Sequence, residues 1–221
     1  MKILKMMSRV ILLLVLVGTV QVKGPELHEK YLIHKVGKGV VKVLNAAKTG
    51  GGTGFHVKLP SGGTAILTNK HVCLGTNKWG IVTINKNNAF YQRRIIDIST
   101  THDLCLIEPI YKDGLSLGSE PETGDHSAIL GYPSLTPLRF EVAKFVTRME
   151  VSICTKVEFI FCVETTELDS YLYNAMIQPG NSGSPVVNFF GNLVAVVFAG
   201  GSGDHTIAVP LEYVKDFISE R

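Results

Sequence analysis

From Gly37 onward, short apolar stretches alternate with Gly, Pro and Asn, a pattern that is typical of an all-β sandwich or barrel. A connection over residues 111–124, which carries Asp113-Gly114 and Pro121, divides these stretches into two groups. The first group predicts strands near 38–45, 53–59, 64–68, 80–85, 90–98 and 104–109. The second predicts strands near 127–132, 139–149, 151–154, 157–164, 171–177, 185–189, 193–199 and 206–209.

The two ends of the chain follow other patterns. After Pro210, apolar residues at 211, 214, 217 and 218 have helical spacing, so a C-terminal helix is predicted over 210–220. Residues 1–24 start with several positive charges and continue in an unbroken apolar run, Val10–Val17, which is too short to span a membrane as a helix. This segment predicts a signal peptide. An uncleaved signal anchor stays open because Val22-Lys23-Gly24 is a weak cleavage site, and either alternative predicts a secreted or extracytoplasmic protein.

Composition and charge narrow the class without deciding it. The 221 residues suffice for one substantial all-β unit. The chain has 22 Lys and Arg against 19 Asp and Glu, a net charge of +3, and the basic residues are dispersed along the sequence. No nucleic-acid partner is therefore predicted. Membrane contact is expected only through an uncleaved leader, and the sequence leaves the oligomeric state open.

Three short segments carry candidate chemistry. Gln178–Val187 reads Gln-Pro-Gly-Asn-Ser-Gly-Ser-Pro-Val-Val, which presents Ser182 on a tight loop as an acyl-transfer nucleophile needs. His71 ends an apolar, strand-like run, and Asp103 begins another. Taken singly, such a histidine or aspartate is more often a structural or turn residue. The chain order His, Asp, Ser is the one used by chymotrypsin-like double barrels.

With these motifs and Gly52-Thr53-Gly54-Phe55, the chain resembles a trypsin-like serine protease of the bacterial type, similar to the HtrA and glutamyl endopeptidase families. The resemblance covers about residue 36 to the C-terminus. It implies two six-stranded antiparallel β-barrels with a C-terminal helix, in a protease domain over 25–221. Barrel one would span about 36–110 and barrel two about 125–209. No residues remain for the PDZ domain that HtrA proteases typically carry.

The resemblance also assigns roles to the candidate residues. His71 would be the general base, Asp103 would orient its imidazole, and Ser182 would form the acyl-enzyme. The oxyanion hole is predicted at Gly180, Asn181 and Ser182, with the backbone N–H groups of Gly180 and Ser182 as donors. Digestive relatives carry an aspartate at position 181, which pairs with a newly liberated N-terminus. A neutral Asn181 cannot make that ion pair, so activity is expected without liberation of a particular N-terminal amine.

The substrate pocket of this family lies between the residues before the serine and the strand after it. It would comprise Met176, Ile177, Phe198, Ala199, Gly200 and His205. Met176 stands where trypsin-like enzymes carry the aspartate of the pocket floor, so cleavage after Lys or Arg is not expected. We predict cleavage after small or medium apolar residues, while His205 keeps an acidic or amide preference open.

The cysteines and the remaining histidines complete the picture. Four cysteines in an exported domain suggest disulfides, with three alternative pairings. Cys73 with Cys105 is attractive because the triad would bring their strands together, although buried free thiols are an equal alternative; Cys154 and Cys162 could pair near a hairpin. The other histidines show no metal-ligand spacing, and no metal or cofactor is predicted. His102 would point away from the site along its strand.

Two further interpretations share this fold. One is a viral or mobile-element processing protease that cleaves one defined junction. The other is a catalytically silent peptide-binding module, which an intact His71, Asp103 and Ser182 set argues against.

Overall fold

A computed structural model describes residues 26–45, 47–74, 80–158, 161–201, 203–219 and 221, with side chains at 155–158 and 161–162 excepted. The predicted leader, 1–24, lies outside the described residues, so the structure does not test it. Among the helices of the described residues, none has the length and apolarity needed to cross a membrane.

The prediction of two six-stranded antiparallel β-barrels is confirmed. Barrel one closes in the order β1-β2-β3-β6-β5-β4, and barrel two in the order β10-β11-β12-β9-β8-β7. The strands of barrel one are β1 (Val40–Leu44), β2 (Gly51–Lys58), β3 (Thr64–Thr68), β4 (Ile81–Lys86), β5 (Ala89–Ile98) and β6 (Cys105–Ile107). Those of barrel two are β7 (His126–Gly131), β8 (Arg139–Glu158), β9 (Phe161–Asn174), β10 (Pro185–Val187), β11 (Leu193–Gly200) and β12 (His205–Pro210).

The prediction of four separate strands between 139 and 177 is wrong. The chain forms one long hairpin there, in which β8 and β9 stay paired from Lys144↔Asn174 to Glu158↔Phe161. Beyond the barrel, most side chains of this hairpin are exposed, including Met149 and Val163. Because neither face of the hairpin is buried there, its side chains need not alternate between apolar and polar, although the two strands remain hydrogen-bonded. The apolar pattern therefore divides the two long strands into four short ones.

Within the described residues, three α-helices and one 3₁₀ helix accompany the barrels. Helix α1 covers 26–36, was not predicted, and buries Leu32 and Val36. Helix α2 (Lys70–Leu74) and a 3₁₀ helix (Pro133–Leu135) also escaped prediction. The predicted C-terminal helix is confirmed as α3 (Leu211–Ser219), which buries Leu211, Val214 and Ile218. One apolar cluster runs through α1, both barrels and α3, so the two halves share a core.

A disulfide joins Cys73 in α2 to Cys105 in β6, across a sequence separation of 32 residues. The alternative of buried free thiols at this pair is therefore wrong. Cys154 is disulfide-bonded as well; the side chain of Cys162 lies outside the description, so the suggested Cys154–Cys162 pair stays a prediction.

Candidate functional site

The structure brings His71 and Asp103 into direct contact. His71 lies in α2, just after β3, and Asp103 lies two residues before the start of β6. The backbone N–H of His71 donates to Asp103 Oδ1 at 2.9 Å, and His71 Nδ1 lies 2.6 Å from Asp103 Oδ2. Asn69 holds the other side of the aspartate, because its Nδ2 donates to the Asp103 carbonyl at 2.9 Å. This arrangement places the proton of a neutral imidazole on Nδ1 and leaves Nε2 as an acceptor.

The peptide between Ser182 and Gly183 bridges the two barrels. The Ser182 carbonyl accepts a hydrogen bond from the Thr53 N–H in β2 at 2.8 Å, and the Gly183 N–H donates to the Val197 carbonyl in β11 at 2.8 Å. The backbone fits closely, since a Cβ on Gly183 would lie 2.1 Å from the Thr53 carbonyl oxygen. Both barrels therefore position the serine.

Gly52 connects the serine loop to the histidine helix. A Cβ at this position would meet the Ser182 carbonyl oxygen at 2.6 Å and a methyl group of Val72, the residue after His71, at 2.8 Å. The serine backbone and α2 thus both lie close to the position that a side chain at residue 52 would occupy. The Ser182 hydroxyl itself contacts the Phe198 carbonyl at 3.5 Å, and within the described part of the chain no hydrogen bond joins it to His71.

Thr53 makes hydrogen bonds to the serine loop that the sequence reasoning missed. Its side chain is fully buried. Its hydroxyl donates to the Gly180 carbonyl at 2.8 Å and accepts from the Tyr132 N–H at 3.0 Å. The Thr53 N–H also donates to the Ser182 carbonyl, so this one residue of barrel one makes three hydrogen bonds to the serine loop and to Tyr132. The available signal was a polar residue between two glycines in a strand that is mostly buried, because a buried hydroxyl needs a hydrogen-bond partner.

The backbone around the predicted oxyanion hole is strongly constrained. Gly180 has φ +97°, and a Cβ there would lie 2.4 Å from the Tyr132 carbonyl oxygen. The Pro179 carbonyl accepts from the Ser134 N–H at 2.5 Å, so the Gly180 N–H, on the opposite edge of that trans peptide, points away from the 3₁₀ helix. By the same reasoning, the Asn181 carbonyl accepts a hydrogen bond from the Ser184 N–H, so the Ser182 N–H on the opposite edge of that peptide points away from Ser184.

Asn181 stands apart from its two neighbours. Its N–H donates to the Gln178 carbonyl at 3.0 Å and so belongs to a turn rather than to a ligand site. Asn181 thereby differs from Gly180 and Ser182, the other two residues predicted for the oxyanion hole, whose N–H groups make no hydrogen bond among the described residues. Its side chain is buried against Gly131, where a Cβ would lie 2.4 Å from Asn181 Oδ1.

The predicted pocket residues lie on neighbouring segments but differ in exposure. Met176 is 59% exposed, and because a pocket floor is buried, Met176 does not occupy one here. Phe198 lies at a bulge of β11 with its ring in the core, so it offers its carbonyl rather than its side chain to the site. Ile177 lies 3.8 Å from the position of a Cβ on Gly200, Ala199 is half-buried, and the His205 carbonyl accepts from the Gly201 N–H at 2.8 Å.

The histidines outside this site have structural contacts. His56 is fully buried; its Nδ1 lies 2.9 Å from the Gly39 carbonyl, and its Nε2 accepts from the N–H groups of Ile110 and Tyr111 at 3.1 Å. Burial lowers the pKa of His56, which keeps it neutral. The His102 ring stacks on Tyr213 of α3 at 3.8 Å. Throughout the part of the chain that the structure describes, no group of three or more His, Cys, Asp or Glu is arranged to hold a metal.

Comparisons with known proteins agree with this geometry. The serine protease HTRA1 of Xenopus laevis is 28% identical over 174 residues, which are 76% of this chain and 36% of that protein. The serine protease HTRA4 of Homo sapiens is 28% identical over 176 residues, 76% of this chain and 34% of that protein. The chain thus spans about a third of the length of these relatives.

Two solved structures share the fold. The Rv3671c protease of M. tuberculosis in its active form superposes with a TM-score of 0.69 at 21% identity, covering 84% of this chain and 81% of that one. The serine endoprotease of Yersinia pestis gives a TM-score of 0.67 at 18% identity, covering 87% and 65%. The model of the trypsin-like peptidase domain matches residues 52–196, from Gly52 through the serine loop to β11. The chain therefore belongs to the trypsin-like peptidase family, and the relatives named above are serine proteases.

Proposed function

We propose that the chain is a serine endopeptidase in which Ser182 is the nucleophile, His71 the general base and Asp103 the group that orients it. The observation that carries this proposal is the double hydrogen bond from His71 to the two carboxylate oxygens of Asp103. It holds the ring so that Nε2 is the free acceptor, on a helix that packs against the serine loop through Gly52. A serine hydroxyl needs such a base near neutral pH.

The reaction follows from these positions. Ser182 Oγ attacks the peptide carbonyl carbon while its proton passes to His71 Nε2, which forms a tetrahedral oxyanion. The imidazolium, stabilised by Asp103, then gives that proton to the leaving amine as the C–N bond breaks. Water repeats the sequence on the acyl-enzyme and restores the hydroxyl. In this structure the Ser182 hydroxyl contacts the Phe198 carbonyl oxygen. A rotation about χ1 of Ser182 that turns the hydroxyl toward His71 would start the cycle.

The N–H groups of Gly180 and Ser182 would stabilise the oxyanion. Two observations support this assignment: both peptides are fixed by hydrogen bonds on their carbonyl edges, and neither N–H has a hydrogen-bond partner among the described residues. Such preorganised donors act without reorganisation in the transition state, and loss of one typically costs about 100- to 1000-fold in rate.

Substrates would be proteins or peptides with a small or medium apolar residue before the cleaved bond. None of the predicted pocket residues is acidic, so a Lys or Arg side chain would lack a counter-charge. The nearness of Ile177 to Gly200 supports a narrow apolar site. A peptide library checks this: efficient cleavage after Val, Ala or Leu is expected, whereas turnover after Glu or Gln alone would overturn it and favour a role for His205.

Activity would not require a freed N-terminus, because the buried side chain at position 181 is an amide rather than a carboxylate. A chain extended ahead of Pro25 should keep full activity, and its inactivity would contradict this point. The Cys73–Cys105 disulfide supports export to an extracytoplasmic compartment. Intact mass before and after reduction and alkylation, on protein recovered from that compartment, tests both the disulfides and the fate of the leader.

Reaction with a fluorophosphonate probe tests the proposed function itself. The wild type should label and Ser182→Ala should not. Ser184→Ala is a matched control in the same loop and should label like the wild type, because the Ser184 hydroxyl is buried and has no hydrogen-bond partner among the described residues. Asp103→Asn should lower kcat by about 10⁴-fold. Labelling that persists in Ser182→Ala would refute the assignment, and absence of labelling in every variant would favour the binding-module interpretation.

A further inference from the structure

A cavity of ≈ 800 Å³ lies where α1, barrel one and the 191–192 turn of barrel two meet, and it shares no residue with the candidate active site. Five lysines line it: Lys35, Lys38, Lys58, Lys86 and Lys112. The acidic residue in the lining is Asp113. The described lining thus contains five of the chain's 22 Lys and Arg residues and one of its 19 Asp and Glu residues. Over the whole sequence the two classes nearly balance.

A second cavity, of ≈ 590 Å³, adjoins the first and shares Lys38, Lys86 and Asn87 with it. Among the described residues, its lining adds His34 and Lys42 and contains no acidic residue. The two cavities together form one depression, here called the basic groove. The sequence alone does not show it, because its lysines come from α1, the turn after α1, β1, β2, β4 and the 111–124 connection.

Lys86 lies at the point shared by both cavities and is 7% exposed. Its Nζ donates to the Gly37 carbonyl at 2.6 Å and to the Val40 carbonyl at 2.7 Å, which uses two of its three N–H bonds. Burial lowers its pKa. A buried ammonium group normally has a counter-charge. Among the described residues, no carboxylate forms an ion pair with Lys86 or with the other lysines of the groove.

We propose that the basic groove binds a multiply phosphorylated anion. Several ammonium groups around one depression match several closely spaced negative charges, and the third N–H of Lys86 would bind a phosphate oxygen at its base. An acidic peptide fits less well, because the strands that line the groove, β1, β2 and β4, are each paired on both sides within barrel one and leave no edge there for its backbone to pair with. The phosphates could come from a soluble polyphosphate or from anionic lipid headgroups. This proposal is independent of proteolysis.

Titration of the full chain with tripolyphosphate, followed by calorimetry and thermal unfolding, tests the soluble source. Saturable binding, a raised Tm and an affinity that falls with added salt are expected. Lys38→Ala and Lys112→Ala remove exposed lysines of the groove and should each raise Kd about tenfold. Lys144→Ala removes an exposed lysine on β8 outside the groove and should change Kd by less than about twofold. Lys86→Met should abolish binding, and cooperative unfolding of this variant without ligand checks that it is folded.

Vesicles distinguish the lipid source. The full chain is mixed with phosphatidylglycerol or phosphatidylcholine vesicles, with the Lys38→Ala, Lys112→Ala double variant alongside, so that any contribution of the leader is common to both proteins. Preference of the wild type for phosphatidylglycerol that the double variant loses, without tripolyphosphate binding, would assign a lipid headgroup. Absence of binding in both arms would overturn the proposal, as would equal losses in Lys38→Ala and Lys144→Ala.

Discussion

Thr53→Val separates the support of the serine loop from the stability of the barrels. Valine has nearly the shape of threonine but lacks the hydroxyl, so it removes the hydrogen bonds to the Gly180 carbonyl and from the Tyr132 N–H. The buried Tyr132 N–H and the part-buried Gly180 carbonyl would each lose a hydrogen bond without replacement. At about 1 to 3 kcal/mol each, this suggests a loss of roughly 2 to 6 kcal/mol in the free energy of unfolding.

The effect on catalysis should be larger than that loss of stability explains. The Gly180 carbonyl would lose its anchor, and the adjoining peptides that carry the oxyanion donors could then rotate. Loss of one donor predicts that kcat falls about 100- to 1000-fold with little change in KM. Thr53→Ser keeps the hydroxyl and should recover most of the activity.

The assay combines urea unfolding with turnover of a fluorogenic peptide, normalised to the fraction of protein that a fluorophosphonate probe labels. Thr83→Val is the matched control, because Thr83 is also buried in barrel one and its hydroxyl accepts from Gln92 Nε2 at 2.9 Å, away from the serine loop. The control should lose stability and keep its kcat. If Thr53→Val keeps kcat within about twofold of the wild type while it unfolds more easily, the reasoning about Thr53 is refuted.

Three further predictions concern packing, pH and the disulfide. Gly52→Ala places a Cβ 2.6 Å from the Ser182 carbonyl oxygen, and the unfolding free energy in urea should fall by roughly 1 to 3 kcal/mol. Gly63→Ala, whose Cβ would meet Leu59 Cδ1 at an ordinary 4.0 Å, should cost less than about 0.5 kcal/mol, and equal losses in the two variants would contradict the close approach. Burial lowers the pKa of His56 below its ordinary 6.5, so protonation favours the unfolded chain and stability should decline as pH falls below about 6.5. Urea titrations at several pH values should show a weaker decline for His56→Gln, and an equal decline in the two proteins would contradict this. Replacement of Cys73 and Cys105 by alanine should cost roughly 2 to 4 kcal/mol, since the bond closes a long loop of the unfolded chain; insensitivity of the wild type's unfolding midpoint to reductant would count against it.

Local patterns in the sequence were sufficient for most strands and for α3. Short apolar stretches bounded by turn residues predict strands wherever one face is buried, and α3 shows its buried stripe at helical spacing. The same rule fails for the β8–β9 hairpin, whose backbone pairing continues where its side chains are exposed. It fails also for α2, because five residues are too few to display a helical period.

The sequence by itself determined which residues could carry out chemistry, since His71, Asp103 and Ser182 stand in recognisable local motifs and in a characteristic order. Only the tertiary structure decided how they are supported. Gly52 and Thr53 contact Gly180 and Ser182 across more than a hundred positions of the sequence, and no local pattern encodes such contacts. The basic groove arises in the same way, because lysines that are dispersed along the chain become neighbours only when the barrels close.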